Sequence, residues 1–276
     1  MREVVHSSVP ANLEPIGASG VQGDMRFKER CLLAAVASLF LASSVFSQDG
    51  IPLFRRMQTA LGGAERIAAV RDFEELVRAE SWNGNTGQSM GEVRKRTRWI
   101  RPSYLRIDQV GPGSTYVLYC DGVSGWEILP GTQEVAPLAG GELEFAREMV
   151  RGMRLHSWIA DRDSRYAITS PAPNVVRISD GDITHQLDIT VDAASGLPVK
   201  SEFTTLSGPA HPVRGENVFA DWDTVQGIRF PRRWTVFRSG VRVGEAKEAR
   251  TAVNSGLTLA DLATKPPDLK PVLPSR

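Results

Sequence analysis

One short pattern recurs three times along this chain and constrains its fold more than any other feature. An aspartate is followed four residues later by a glycine and then by a large apolar residue, in Asp121–Trp126, Asp192–Leu197 and Asp223–Ile228. Aspartate commonly bonds its own backbone in turns, and glycine adopts turn conformations that other residues avoid. The pattern therefore predicts strands joined by tight turns, with the same strand–turn–strand unit used three times.

Alternation of apolar and polar residues gives the positions of the strands. From Phe73 onward the period is two, and the clearest example runs from Ile183 to Val191, where His185 shares the apolar face. Sequential strands with short connections form an antiparallel meander. The other main strands are predicted at Val93–Ile100, Tyr104–Val110, Tyr116–Cys120, Val175–Ser179, Val199–Thr205, Glu216–Trp222, Arg232–Arg238 and Val241–Val253.

Helical spacing of apolar residues predicts a pair of helices near the start and one longer helix in mid-chain. Ile51–Leu61 ends at Gly62, because glycine tolerates the left-handed conformation of a C-terminal stop, and a short helix through Ile67 follows. The mid-chain helix is Glu142–Ile159, whose methionines can line an adaptable pocket. An ordinary core-facing helix fits the same stripe. Tyr116–Cys120 is apolar on both faces, so this helix is expected to cover one of them.

The N-terminal part of the chain indicates export. Met25–Arg30 is cationic and Cys31–Phe46 is apolar, but that run is shorter than the roughly 20 residues of a membrane span. Small residues precede Gln48, which suits cleavage before it. Residues 25–47 are therefore predicted to be a signal peptide, with an uncleaved anchor as the alternative. We expect residues 1–24 to be a disordered extension.

Neither the charge nor the motifs indicate a nucleic-acid-binding or catalytic protein. The net charge of +1 gives no broad basic field. The sequence lacks the zinc motif His-Glu-x-x-His, the phosphate-binding P-loop and the Gly-x-Ser-x-Gly nucleophile elbow. Cys120 belongs to an apolar strand, so an inert thiol is favoured over a nucleophile that a histidine would activate. We expect no enzyme activity, no cofactor and no metal site.

Several short motifs occur in a fixed order around the mid-chain helix. They are Ala60-Leu61-Gly62-Gly63, Tyr119-Cys120-Asp121-Gly122 with Gly125-Trp126, Asp192 with Gly196-Leu197-Pro198-Val199-Lys200, and Val225-Gln226-Gly227-Ile228-Arg229-Phe230-Pro231. With these motifs the chain from roughly residue 50 to 262 resembles the LolA-like superfamily of periplasmic lipoprotein and lipid carriers, which includes RseB-type sensors. The sequence departs from the family in having no lipoprotein cysteine after the cleavage site and in being longer than the simplest carriers.

The resemblance implies both a fold and a function. It implies a mainly β (α+β) domain over residues 48–264, built as a curved, unclosed antiparallel β-barrel with helices on its concave side, and residues 265–276 are expected to form a flexible tail. It implies a non-catalytic periplasmic carrier that binds lipoprotein acyl chains or lipid in an apolar cavity, with an inner- or outer-membrane protein as a potential partner. An RseB-type envelope-stress sensor is the alternative. The residues predicted to line the cavity are Trp126, Leu143, Met149, Met153 and Trp158.

Overall fold

The structure, a computed structural model, describes residues 48–112, 114–128, 134–182, 186–206 and 212–265. The predicted extension and signal peptide, residues 1–47, lie outside these ranges. So do residues 266–276 of the predicted tail, and residues 183–185 of the predicted strand that carries His185. Predictions about those residues stay untested.

The described residues form one antiparallel sheet of 14 strands. Strands β2 to β7 follow one another across the sheet, and so do β8 to β14, while β14 pairs with β2 and β1 with β8. The outermost strands are β1 and β7, so the sheet is not closed into a barrel and the mainly β prediction is confirmed. The strands are β1 (Gln48–Asp49), β2 (Asp72–Trp82), β3 (Ser89–Ile100), β4 (Tyr104–Gly111), β5 (Ser114–Cys120), β6 (Gly125–Ile128), β7 (Val135–Pro137), β8 (Ala167–Ala172), β9 (Val175–Ser179), β10 (Leu187–Val191), β11 (Pro198–Leu206), β12 (Pro212–Val225), β13 (Ile228–Arg238) and β14 (Val241–Val253).

Irregular pairing bends this sheet. Register shifts occur between β8 and β9, β10 and β11, β13 and β14, β14 and β2, and β2 and β3. A bulge bends its strand and increases the local right-handed twist. The four helices described between Ile51 and Ser157 lie together on one side of the bent sheet, as the resemblance implies.

Two of the aspartate–glycine segments form their turns as the sequence predicts. Between β5 and β6, the backbone N–H groups of Val123 and Ser124 donate to the Asp121 carboxylate at 2.8 and 2.6 Å. Between β10 and β11, the N–H of Ser195 donates to the Asp192 carboxylate at 2.7 Å. In both hairpins the aspartate side chain satisfies backbone donors that the turn leaves free.

The third segment also lies at a hairpin, but it uses another geometry. The chain turns at Gln226 and Gly227, which both have positive φ, while Asp223 still lies inside β12. A two-residue turn with positive φ at both positions matches the twist of the strands and needs no aspartate. The prediction of one unit used three times is therefore wrong for this copy.

The helices of the described chain are short. The first helix ends at Gly62 with φ +116°, as predicted. A last helix follows the sheet and is not predicted by apolar periodicity, although Thr258 and Asp261 form a capping box that marks its start. The helices are α1 (Ile51–Leu61), α2 (Ala64–Ala68), α3 (Gly140–Arg151), α4 (Arg154–Ser157) and α5 (Leu259–Ala263).

The predicted continuous helix Glu142–Ile159 is wrong. Helix α3 ends before Gly152, Met153 is extended with φ −58° and ψ 127°, and the short α4 then begins. Glycine favours such an ending because it has low helix propensity. The change of direction brings Leu155, which is fully buried, into the core.

One apolar core fills the space between the sheet and helices α1 to α4. Strand β5 is buried on both faces, as its sequence predicts: Leu118 and Cys120 belong to this core, whereas Val117 belongs to a separate cluster on the opposite face. The core's largest fully buried side chains include Trp99, Phe54, Phe73, Phe230, Met57, Leu61, Ile67, Leu105, Leu118 and Leu155.

Candidate functional site

Helix α3 lies over the core beside β5. Ala146 and Val150, one turn apart on the helix, are both buried in the core. The guanidinium of Arg147 donates to the carbonyl oxygens of Gly122 at 3.0 Å and Val123 at 3.3 Å, which ties the helix to the β5–β6 hairpin. The helix is therefore anchored by two small buried side chains and one arginine.

Four of the five side chains predicted to line a cavity lie against this core. Leu143, Met149 and Met153 pack on it while staying only partly buried. Trp158 is buried, with 4% of its surface exposed, and its ring lies 5.6 Å from that of Phe230. Leu143 and Met149 on α3, and Met153 just after it, lie at the margin of the core, whereas Trp158 belongs to the interior.

Trp126 lies apart from these four. It pairs with Tyr119 across β5 and β6 and packs with Val117 in the separate cluster. The guanidinium of Arg106 lies 5.6 Å from the Trp126 ring, and the amine of Lys265 lies 5.7 Å from it. Trp126 is thus on the face that points away from α1 to α4. Ligand binding by any of the five residues stays a prediction.

The interior beneath α1, α2 and α4 is occupied by side chains. Phe54, Met57 and Trp99 are fully buried there. Two hollows in the described surface are polar, and α3 lines neither of them. One of about 450 Å³ is lined by Lys200, Glu202, Arg214, Glu216, Phe237, Ser239 and Gly240, and one of about 360 Å³ by Asp221, Trp222, Arg232, Arg233 and Lys247.

A small charged group adjoins α4 on the helix side of the sheet. Arg154 donates from Nη1 to Oε1 of Glu75 at 2.7 Å, and its guanidinium lies 5.1 Å from the ring of Trp234. Lys95 stands opposite Val77 in the next strand and is half-buried. Burial lowers the pKa of Lys95, while the negative charge of Glu75 acts in the opposite direction.

The cysteine and the described histidine are structural. Cys120 is fully buried, the N–H of Gly122 donates to its Sγ at 3.3 Å, and burial raises the pKa of the thiol. Nδ1 of His156 lies 3.0 Å from the carbonyl oxygen of Val150, the His156 ring packs edge-on against Trp99, and burial lowers the pKa of His156. A thiol with a raised pKa is a poor nucleophile, so Cys120 is not poised for nucleophilic catalysis.

Two further observations concern only the described ranges. No group of three or more His, Cys, Asp and Glu side chains is placed to hold a metal ion. None of the helices there combines the length and the apolar character that a membrane span requires.

Comparison with known proteins gives structural similarity alone, since no protein-family model and no curated protein matches the chain. A domain described as an outer membrane lipoprotein-sorting protein, from Vibrio parahaemolyticus, is 13% identical, with a TM-score of 0.47 over 77% of this chain and 95% of its own. A DUF1329 family protein from Desulfovibrio piger is 10% identical, with a TM-score of 0.49 over 77% of this chain and 96% of its own.

A third solved structure is that of a LolA superfamily protein from Nitrosomonas europaea. It is 13% identical to this chain, with a TM-score of 0.45 over 76% of this chain and 97% of its own. That superfamily is the one that the sequence motifs resemble. Since all three TM-scores lie below 0.5, only the residues of this chain bear on its function.

Proposed function

We propose that this protein is a periplasmic carrier without catalytic activity, which binds the acyl chain of a lipoprotein or lipid beside helix α3. The observation that carries the proposal is that Leu143, Met149 and Met153 pack on the core yet stay partly open. Apolar surface that adjoins a core and remains accessible is typical of binding sites, and methionine side chains adapt to ligands of different shape. An acyl chain that enters at this margin of the core would extend the burial of these side chains.

The N-terminal end of α3 has room to change conformation when an acyl chain enters. Gly140 and Gly141 begin the helix, Gly140 has a positive φ, and no atom lies within 4 Å of the place where a Cβ would stand at either residue. Glycine changes backbone conformation at little steric cost. The margin of α3 can therefore open without unpacking Phe54 or Trp99 in the interior.

The expected strength of such binding suits a carrier. Burying ten methylene groups contributes about 8 kcal/mol before the costs of association. After side chains and ligand are ordered, the affinity is roughly micromolar or weaker. Binding of that strength allows cargo to be passed on without covalent chemistry.

Replacing Met149 by aspartate is expected to weaken the binding of a fluorescent fatty acid by about tenfold or more, because the acyl chain would desolvate the new carboxylate. Fluorescence titration of the delipidated protein measures the affinity. Phe145→Asp is the matched control, since Phe145 is on the same helix, is 49% exposed and does not pack on the core. Equal binding by Met149→Asp and the wild type would place the acyl chain away from α3.

The periplasmic location is tested by the N-terminus of the exported protein. When the full sequence is expressed in a Gram-negative host, we expect a periplasmic protein that begins at Gln48. N-terminal sequencing and intact mass measure the cleavage site. Leu33→Arg, which breaks the apolar run, should block export. A protein that keeps residues 1–47 and stays in the cytoplasm would contradict the proposal.

A further inference from the structure

We propose that the ligand carries a singly charged anionic head, which Lys95 binds on the helix side of the sheet next to α4. This inference rests on the proposed function and narrows the ligand to an anionic acyl lipid. An acyl group attached to a neutral glycerol or to a protein terminus would bring no anion to pair with the charge of Lys95.

The register of β3 places Lys95 at the border of the core. Along one face of this strand, Trp99 is fully buried, Thr97 is 7% exposed and Lys95 is half-buried. Lys95 stands opposite Val77, which packs in a small apolar cluster with Trp234. The side chain is therefore partly exposed, while its amine lies against apolar surface rather than in open solvent.

The local charges leave Lys95 as the unmatched group. Arg154 and Glu75 form an ion pair at 2.7 Å and neutralise each other. Within the described residues, the Lys95 amine makes no hydrogen bond or ion pair of its own. The trio of Glu75, Lys95 and Arg154 thus carries one net positive charge. A partly desolvated ammonium gains most from an anion that can accept its hydrogen bonds.

Lys95 is also close enough to α3 for one lipid to use both sites. Gln109 pairs with Lys95 across β3 and β4 and with Tyr116 across β4 and β5. Two strand spacings, about 10 Å, therefore separate Lys95 from Tyr116. Tyr116 packs on the same core as Met149, at the margin that we propose for the acyl chain. A lipid head group bound at Lys95 would therefore direct its acyl chain toward α3.

The test compares two ligands of the same acyl chain. Lysophosphatidylglycerol carries one negative charge on its phosphodiester, and the matching monoacylglycerol carries none. Binding of each to the delipidated protein at pH 7 is measured by calorimetry, with glycerol phosphate as a phosphate ester that has no acyl chain. The wild type is expected to bind lysophosphatidylglycerol about tenfold more tightly than monoacylglycerol, and glycerol phosphate should not compete.

Variants separate the charge of Lys95 from its packing. Lys95→Met keeps an apolar side chain of similar length and should abolish the preference for the anionic lipid, whereas Lys95→Arg should retain it. Arg94→Met is the matched control, because Arg94 is the next residue on the strand and its side chain is 66% exposed. A preference that survives in folded Lys95→Met, or falls equally in Arg94→Met, would overturn the inference.

The two proposals fail in different ways. If the wild type binds both lipids equally well, the anionic head is wrong and the acyl carrier stands. If the wild type binds neither lipid, both proposals are wrong. Competition by glycerol phosphate alone would mean that the site takes a free phosphate ester rather than a lipid.

Discussion

Replacing Asp108 by asparagine is expected to lower the free energy of unfolding by about 3–5 kcal/mol, because it breaks a buried charge network. The Asp108 carboxylate accepts from Arg98 at 2.6 Å and from Arg106 at 2.8 Å. The two arginine side chains are only 9% and 7% exposed. Guanidinium groups do not lose their proton in proteins, so both charges would remain buried without the carboxylate that pairs with them.

The carbonyl oxygens of α5 cannot replace the lost carboxylate. Arg98 donates to the carbonyl of Asp261 at 2.6 Å, and Arg106 donates to that of Leu262 at 3.0 Å. These bonds carry no full negative charge, and Nε of Arg98 already lacks a partner in the described structure. The same substitution should therefore loosen α5 from the sheet as well as destabilise the domain.

Urea unfolding followed by tryptophan fluorescence measures the loss in stability. Asp221→Asn is the matched control, because Asp221 also pairs with one arginine, Arg233 at 3.1 Å, but the two side chains are 55% and 53% exposed. An exposed ion pair contributes about 0–1 kcal/mol. Similar losses for Asp108→Asn and Asp221→Asn would show that the buried network does not stabilise the fold.

Replacing Gly62 by alanine is expected to lower the free energy of unfolding by about 3 kcal/mol or more, for two reasons. Gly62 has φ +116°, a conformation that alanine adopts only with strain. A Cβ at this residue would also stand 2.0 Å from the carbonyl oxygen of Gly227, in the β12–β13 hairpin. The carbonyl oxygen is a backbone atom that cannot turn aside as a flexible side chain can, so α1 and the hairpin would have to separate.

The neighbouring glycine, Gly63, separates the effect of backbone strain from the effect of the close contact with the hairpin. Gly63 has φ +100°, but no atom lies within 4 Å of the place where its Cβ would stand. Gly63→Ala should therefore cost only conformational strain, about 1–3 kcal/mol, because φ +100° with ψ 140° is backbone space that residues other than glycine rarely occupy. Chemical unfolding of both variants gives the difference, which reports the contact between α1 and the hairpin. Equal losses would contradict a close approach at Gly62.

Alternation of side chains made most of the strands predictable. The predicted strands Val175–Ser179 and Val241–Val253 agree with β9 and β14 residue for residue. Each strand presents one face to the core, so apolar residues recur at every second position along it. The break between α3 and α4 was not predictable in this way, because it depends on how Leu155 reaches a core built from distant strands.

The candidate site was predictable only in part. The helical stripe identified Leu143 and Met149, which do lie against the core. Trp126 is on the other side of the sheet because it pairs with Tyr119, and counting residues along β5 and β6 from Cys120 would have shown this. The strand pattern put Lys95 on the face of Trp99, but its lack of a partner depends on the pairing of Arg154 with Glu75.

Pairing between β14 and β2 also has a consequence for the order of events when the chain folds. Phe73 meets Val253 in this ladder, so a strand near the start of the described chain finds its second neighbour only when nearly all of the domain has emerged. Contacts between such distant residues form slowly. For the export that we propose, which would begin at the N-terminus, the sheet would stay incomplete and the chain extended until the last long strand has crossed the membrane.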